Sequence, residues 1–338
     1  MTTSRVPNAR CRIVAAIDGN HNGDPDAAWR LIDAARAAGA DGVKLEKRTV
    51  AQAAVRQVLD RPAAGYAALG ATYRKALERV DLPVEELARL CRSAGEMETW
   101  IAAHDEEACR ALAPVPFGAW KIEAPVAVNA TLLNEVAGDA RPVVASVAGC
   151  SAREIATLVD TVGPRLTLLH EVAAPTPGAG GVLDVAPLAS LARFGRPVGY
   201  ADGSLDQTPA LMAVALGATV IEKRLTLDRT AAGPDHRQSL LPGELAELVT
   251  RVRELEARLG ASRLPETAPE VLDELAWRRV SIVAARPIAR GTTITSDMLV
   301  LKAPSRGLSP RFLGAVVGRP ALYDIAEDDF ITFGMVGL

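Results

Sequence analysis

Two short patterns far apart in the chain place a lysine and a glutamate two residues apart at the end of a strand-like run. One is Asp41–Glu46, with Lys44 and Glu46; the other is Gly118–Glu123, with Lys121 and Glu123. Side chains alternate across a strand, so each lysine faces the same way as its glutamate. If both strands close into one barrel, two ammonium groups and two carboxylates converge at one mouth. Such a set can grip an anion, exchange protons, or simply neutralise itself as an ion-pair network.

The elements that would position them recur along the chain. β-branched runs near residues 11–17, 41–46, 96–101, 118–123, 142–147, 165–171, 197–201 and 219–223 alternate with alanine- and leucine-rich segments of helical spacing. Eight strands alternating with helices over about 250 residues predict an α/β fold, a (β/α)8 TIM barrel. The strand runs are nearly continuously apolar, as strands buried on both faces are. The reading divides the chain into a barrel over 1–260, a linker over 261–278 and a small, mostly β module over 279–338.

Bulk properties exclude several classes. The chain has 338 residues, is 49% hydrophobic and 23% charged, and carries a net charge of −3, which favours neither nucleic acid nor an anionic membrane as partner. No apolar run approaches the ~20 residues of a membrane span, and the N-terminus lacks a signal-peptide core. The four cysteines, Cys11, Cys91, Cys109 and Cys150, show no CxxC spacing and read as buried free thiols in a reducing cytoplasm.

Further motifs carry a resemblance. Val14–Gly23, Ala35–Lys44, Trp120–Ile122, Arg141–Ser146, Leu168–His170, Val198–Asp202, Ala213–Lys223 and Gly233–Asp235 occur in the order seen in the sialic acid synthase family. The C-terminal module, through Val283–Leu299 and Val317–Ile325, resembles that family's antifreeze-like SAF domain. The resemblance implies a barrel that condenses phosphoenolpyruvate with an N-acetylated amino sugar. It also implies a divalent metal held by two histidines, a first-strand glutamate for acid–base work and two lysines gripping phosphoenolpyruvate. Finally, it implies a homodimer in which the SAF domain of one subunit caps the partner's barrel.

Carried over residue by residue, Lys44, Lys121 and Ser146 match the family's substrate-binding positions, and Asn20, His21, His170, Asp202, Glu222 and Asp235 also match in type. The losses are heavier. Gly203 and Arg224 stand where the metal histidines are expected, and neither can ligate a metal. The first-strand glutamate falls on Ala16, and the phosphate loop after the third strand has become Ile101–His104. The family's serine and acid after the second lysine fall on Ala124 and Val126. The arginine expected before Pro304 is Ala303, with Arg306 close by. No cofactor, and no family-type divalent metal, is expected, and standard sialic acid synthesis is not expected either.

Other substitutions add charge. Asp18 replaces a family glycine, Glu46 a glutamine and Glu123 a small residue. Asp18, Glu46 and Glu123 are candidates for general acid or base. Arg224 can steady an oxyanion or a carboxylate. Lys44, Lys121, Ser146, Asn20, His21, His170, Asp202, Asp235 and Arg306 are candidates for holding a small anionic substrate. A lysine of depressed pKa would open a Schiff-base route. A replacement metal site from Asp18, Glu46, Glu123 and His170 has no ligand spacing behind it.

Three readings remain open. In one, the chain is a metal-independent enzyme of lyase or transferase type that makes or breaks a carbon–carbon bond in a carboxylate- or phosphate-bearing molecule, with phosphoenolpyruvate as one donor. In the second, it is an inactive homologue that binds an anion or partners an active enzyme. In the third, it is a structural scaffold whose dimer matters more than its mouth.

Overall fold

The computed structural model describes residues 10–172, 183–259 and 269–337. The chain separates into two compact units, Met1–Ser262 and Arg263–Leu338.

The first unit is a closed barrel of eight parallel strands in sequence order. They are β1 (Arg12–Ala16), β2 (Gly42–Lys47), β3 (Glu98–Ala103), β4 (Ala119–Ile122), β5 (Val143–Ser146), β6 (Leu166–Val172), β7 (Val198–Asp202) and β8 (Val220–Arg224). Closure comes from β1 pairing with β8, with Ala16 opposite Arg224. The TIM barrel read from the sequence is the fold observed, and every strand lies within two residues of its expected place.

Alternation sorts the strand residues into two sets. Val14, Trp100, Ala119, Val144, Leu169, Ala201 and Val220 fill the barrel's interior. Their neighbours, such as Ile13, Val43, Ile101 and Ile221, belong to the larger core that includes the surrounding helices. Gly199 is needed inside, because a Cβ there would lie 2.8 Å from Leu169 Cδ1 and 2.9 Å from Val220. At the floor Arg12 pairs with Glu98 at 2.9 Å. Following the interior parity upward places Lys44, Lys121, Ser146, Glu171, Glu222 and Arg224 toward the carboxyl ends of the strands, where barrels of this type build their sites.

The helices begin with ordinary signals. Asp24 caps the helix Pro25–Ala37, and Ser151 with Glu154 forms a capping box on Ala152–Val162. Arg56–Leu59, Glu106–Ala111 and Pro187–Leu191 are helices too short to show an apolar period in the sequence, whereas Tyr73–Val80 buries Ala76, Leu77 and Val80 on one face.

The second unit pairs β9 (Ser281–Ala284) with β10 (Leu299–Lys302) in antiparallel fashion over a small core that includes Ile282, Ile288, Ile294, Leu308 and Ile331. The segment over 261–278 reads from the sequence as a linker with a short helical end, and that end is the helix Pro269–Arg278; residues 260–268 lie outside the described residues. Cys11, Cys91 and Cys109 are buried free thiols and Cys150 is half-buried. No helix among the described residues is long and apolar enough to cross a membrane.

Candidate active site

Lys44 from β2 and Lys121 from β4 both point into the upper barrel, and one carboxylate joins them. Glu123 Oε1 accepts from Lys44 Nζ at 2.6 Å, and Glu123 Oε2 accepts from Lys121 Nζ at 2.8 Å. Lys44 also lies 3.2 Å from Asp18 and 3.0 Å from Glu222. Lys121 donates to Ser146 Oγ at 2.8 Å and lies 3.6 Å from Glu222. The Lys121 side chain has no exposed surface and that of Lys44 only 5%. Burial alone would depress both lysines, but Asp18, Glu123 and Glu222 hold Lys44 well above its ordinary value, and Glu123 and Glu222 raise Lys121. Both ammonium groups are therefore firmly protonated, the opposite of what a Schiff base requires. Burial works against the charge of Glu123, yet Lys121 and Lys44 hold its carboxyl well below the usual range. That setting keeps Glu123 charged and suits a counter-ion better than an acid or a base.

Asp18 follows β1 and is the carboxylate closest to being proton-active. Its backbone sits at φ +31°, in the left-handed region that favours glycine. Its side chain is buried, and burial pushes its pKa up to about 7, with Lys44 opposing and Glu46, Glu123 and Glu222 adding to the rise. The next turn is a support. Asn20 Nδ2 donates to the Leu225 carbonyl and to Ser239 Oγ, both at 2.9 Å, tying the β1 loop to the chain after β8. His21 is buried, accepts from the Gly23 amide through Nδ1 at 3.0 Å, and has its pKa lowered by burial.

Glu46 turns away from Lys44. It pairs with Arg48, and its Oε2 lies 3.2 Å from His104 Nε2, with Arg48 Nη2 3.3 Å from the same nitrogen. Burial would raise its pKa, but Arg48 and His104 hold it below the usual range. Across the mouth, Glu171, Ala201, Gly203, Glu222 and Arg224 line a cleft that Asp202 borders with its carboxylate turned away toward Lys223 and Ser204. Arg224 Nε lies 3.7 Å from Asp235 Oδ1. Burial works against its charge, which Asp235, Asp18, Glu171 and Glu222 reinforce.

With this geometry in place, the comparisons are specific. The NeuB family matches residues 31–263, and the SAF domain matches residues 279–337. The chain belongs to the NeuB family. It is 32% identical over 331 residues to the N-acetylneuraminate-9-phosphate synthase of Homo sapiens, covering 95% of this chain and 91% of that protein. It is 30% identical over 330 residues to the N,N'-diacetyllegionaminic acid synthase of Legionella pneumophila, covering 93% and 91%. Among solved structures, a protein assigned to spore coat polysaccharide biosynthesis (protein E, Chromobacterium violaceum) superposes with a TM-score of 0.79 at 25% identity, covering 96% of this chain and 99% of that one.

Within this NeuB-family barrel, the donor set does not fit the divalent metal that the resemblance implies. Gly203 offers no ligand atom, and Arg224 brings a guanidinium to the cleft. Asp202 is turned to the outer face, where its Oδ1 accepts from Lys223 Nζ at 2.5 Å and from Ser204. Among the described residues no three His, Cys, Asp or Glu side chains are grouped to hold a metal ion. His170 has the outward parity too, with Nε2 donating to the Asp184 carbonyl at 2.8 Å. Asp202 and His170 therefore leave the set of candidate substrate contacts, because alternation puts them behind the strands. His170 is likewise separated from Asp18 and Glu123, which ends the replacement metal site. Arg306 lies in the second unit, its guanidinium over the Trp277 ring at 5.2 Å.

Arg48 and Glu171 were not singled out from sequence, and Glu222, which matches the family in type, was not carried into the candidate substrate contacts. Each was within reach of the same parity argument, since Arg48 lies two beyond Glu46, Glu171 two beyond Leu169 and Glu222 two beyond Val220.

Proposed function

We propose that this NeuB-family chain is a metal-independent enzyme of small-molecule biosynthesis. Its barrel mouth acts on a carboxylate- or phosphate-bearing substrate, forming or cleaving a carbon–carbon bond, with phosphoenolpyruvate as a candidate donor. The observation that carries the reading is Asp18: a buried carboxyl with a pKa near 7, held 3.2 Å from the Lys44 ammonium on a strained backbone at the mouth. In its neutral form Asp18 can give a proton to the oxygen that becomes a hydroxyl when a carbon–carbon bond closes at a carbonyl; ionised, it can take that proton back in the reverse direction. Arg224 supplies fixed positive charge for an oxyanion or a carboxylate on the opposite side. The synthase names of two relatives support sugar-acid chemistry as the setting. We place the enzyme in the cytoplasm because its cysteines read as free thiols, and as a homodimer whose SAF domain caps the partner's barrel on the strength of the resemblance alone.

A specific observation also favours the inactive-homologue reading. Ala16, Ala102 and Ala103 are fully buried apolar residues where the resemblance places an acid–base group and a phosphate loop. Turnover decides between the two. Phosphate release from phosphoenolpyruvate is measured with a panel of aldoses and N-acetylated amino sugars, with excess chelator present. Turnover that survives the chelator and falls about 100-fold in Arg224→Met supports the enzyme reading. Turnover only with added divalent metal, or none with any acceptor, overturns it.

A further inference from the structure

We propose that Glu123 is a built-in counter-ion occupying the anion grip of Lys44 and Lys121, so that a ligand's carboxylate or phosphate enters only by displacing it. The inference rests on reading the mouth as an anion site and adds a residue that sets which anions it accepts.

The argument begins with the fork. The two oxygens of Glu123 each take one ammonium, at 2.6 and 2.8 Å, as the oxygens of a bound carboxylate would. The grip is thus saturated from within the chain. Glu123 is also placed to leave. It follows the last residue of β4 in extended conformation, at the edge of the short turn Ala124–Val126, and its side chain keeps 13% of its surface exposed while Lys121 keeps none. A rotation about its side-chain bonds would carry the carboxylate toward solvent without moving the strand.

Its departure does not strip the lysines. Lys44 retains Asp18 at 3.2 Å and Glu222 at 3.0 Å; Lys121 retains Ser146 at 2.8 Å and Glu222 at 3.6 Å. The remaining partners make exchange of one anion for another feasible, because neither ammonium is left alone in a buried site. The consequence is selectivity. A small monoanion only replaces one carboxylate by another and gains little. A ligand with a second anionic group gains further attraction, so the grip favours dianions and discriminates against acetate-like monoanions.

Isothermal titration at pH 7.5 of the full-length protein, with phosphoenolpyruvate and inorganic phosphate as probes, tests this. Wild type is compared with Glu123→Gln, which keeps the shape, and Glu123→Ala, which opens the space; circular dichroism checks that each is folded. The expected result is at least tenfold tighter binding of phosphoenolpyruvate in both variants. Tightening of inorganic phosphate as well assigns the grip to phosphate, whereas tightening of phosphoenolpyruvate alone assigns it to the carboxylate. Binding of equal strength in all three proteins overturns the counter-ion role and leaves the anion site standing. Binding by none of them at millimolar probe removes the anion site itself, and the inference with it.

Discussion

On the β2–β4 side of the barrel mouth, Lys44 and Lys121 each have a carboxylate within 2.8 Å, and Glu123 spends both its oxygens on them. On the β6–β8 side, buried Glu171 Oε2 has no hydrogen-bond partner, Glu222 Oε2 has only the Lys121 ammonium at 3.6 Å, and Arg224 reaches Asp235 only at 3.7 Å. The same strand ends thus carry one network that is closed around the two lysines, where only Asp18 Oδ1 beside Lys44 lacks a hydrogen bond, and one that is more open. Buried ion pairs are held by geometry and are costly to break from one side, whereas acceptors without donors have capacity left for a ligand's hydroxyl groups. The closed side fixes the site's shape, and the open side is where a neutral or polyhydroxylated part of a substrate gains most.

Removing one cation from each side is the strongest way to break this comparison. Lys121→Met keeps the volume but leaves Glu123 and Glu222 as buried carboxylates sharing Lys44 alone, and should lower unfolding stability by about 3–5 kcal/mol. Arg224, whose side chain is 30% exposed and whose one carboxylate contact is long, should cost less than about 1 kcal/mol as Arg224→Met. Urea denaturation followed by circular dichroism measures both. Similar losses from the two substitutions would mean that the mouth is one network and not two.

A smaller effect sharpens the closed side by pH. The carboxyl of Asp18 rises from an ordinary 3.8 to about 7 on folding, with burial as the largest cause. The folded state therefore holds this proton more tightly than the unfolded state. The stability Asp18 contributes is fully present below about 3.8 and lost as pH climbs toward 7. Asp18→Asn is permanently neutral and does not suffer that loss. The variant should be the more stable protein at pH 8, by about 2–4 kcal/mol, with the gap closing toward pH 4. A gap that stays constant between those pH values would show that Asp18 does not titrate there, and would remove it as the acid–base group.

Much of this molecule is legible in the sequence because strands obey a period of two. The eight strands could be placed from their apolar runs, and the lysines and Glu123 from their shared parity. The same rule, pressed one residue further, would have found Glu171 and set aside His170 and Asp202. What could not be read is pairing. Glu46 shares the face of Lys44, yet it is taken by Arg48 and His104, the residues that follow β2 and β3. Glu123 was as good a candidate base as Asp18 until the two ammonium groups were found on its oxygens. Which partner a charged side chain takes depends on loops whose paths no periodicity encodes, and the partner decides whether the group titrates.

The smallest effect tests parity itself. His170 sits one residue before Glu171 on β6, and alternation turns it outward, where its ring bonds the Asp184 carbonyl at 2.8 Å and tilts against Tyr200 at 5.9 Å. Its type and position match a substrate-binding residue by resemblance, but its direction does not. His170→Ala should cost about 1 kcal/mol for the lost hydrogen bond and leave phosphoenolpyruvate affinity unchanged. Glu171→Gln, one position on, faces the cleft and should alter ligand affinity with little effect on stability. If titration finds the reverse, with His170→Ala weakening the ligand and Glu171→Gln silent, then β6 presents its other face to the mouth and the open side has been drawn from the wrong residues.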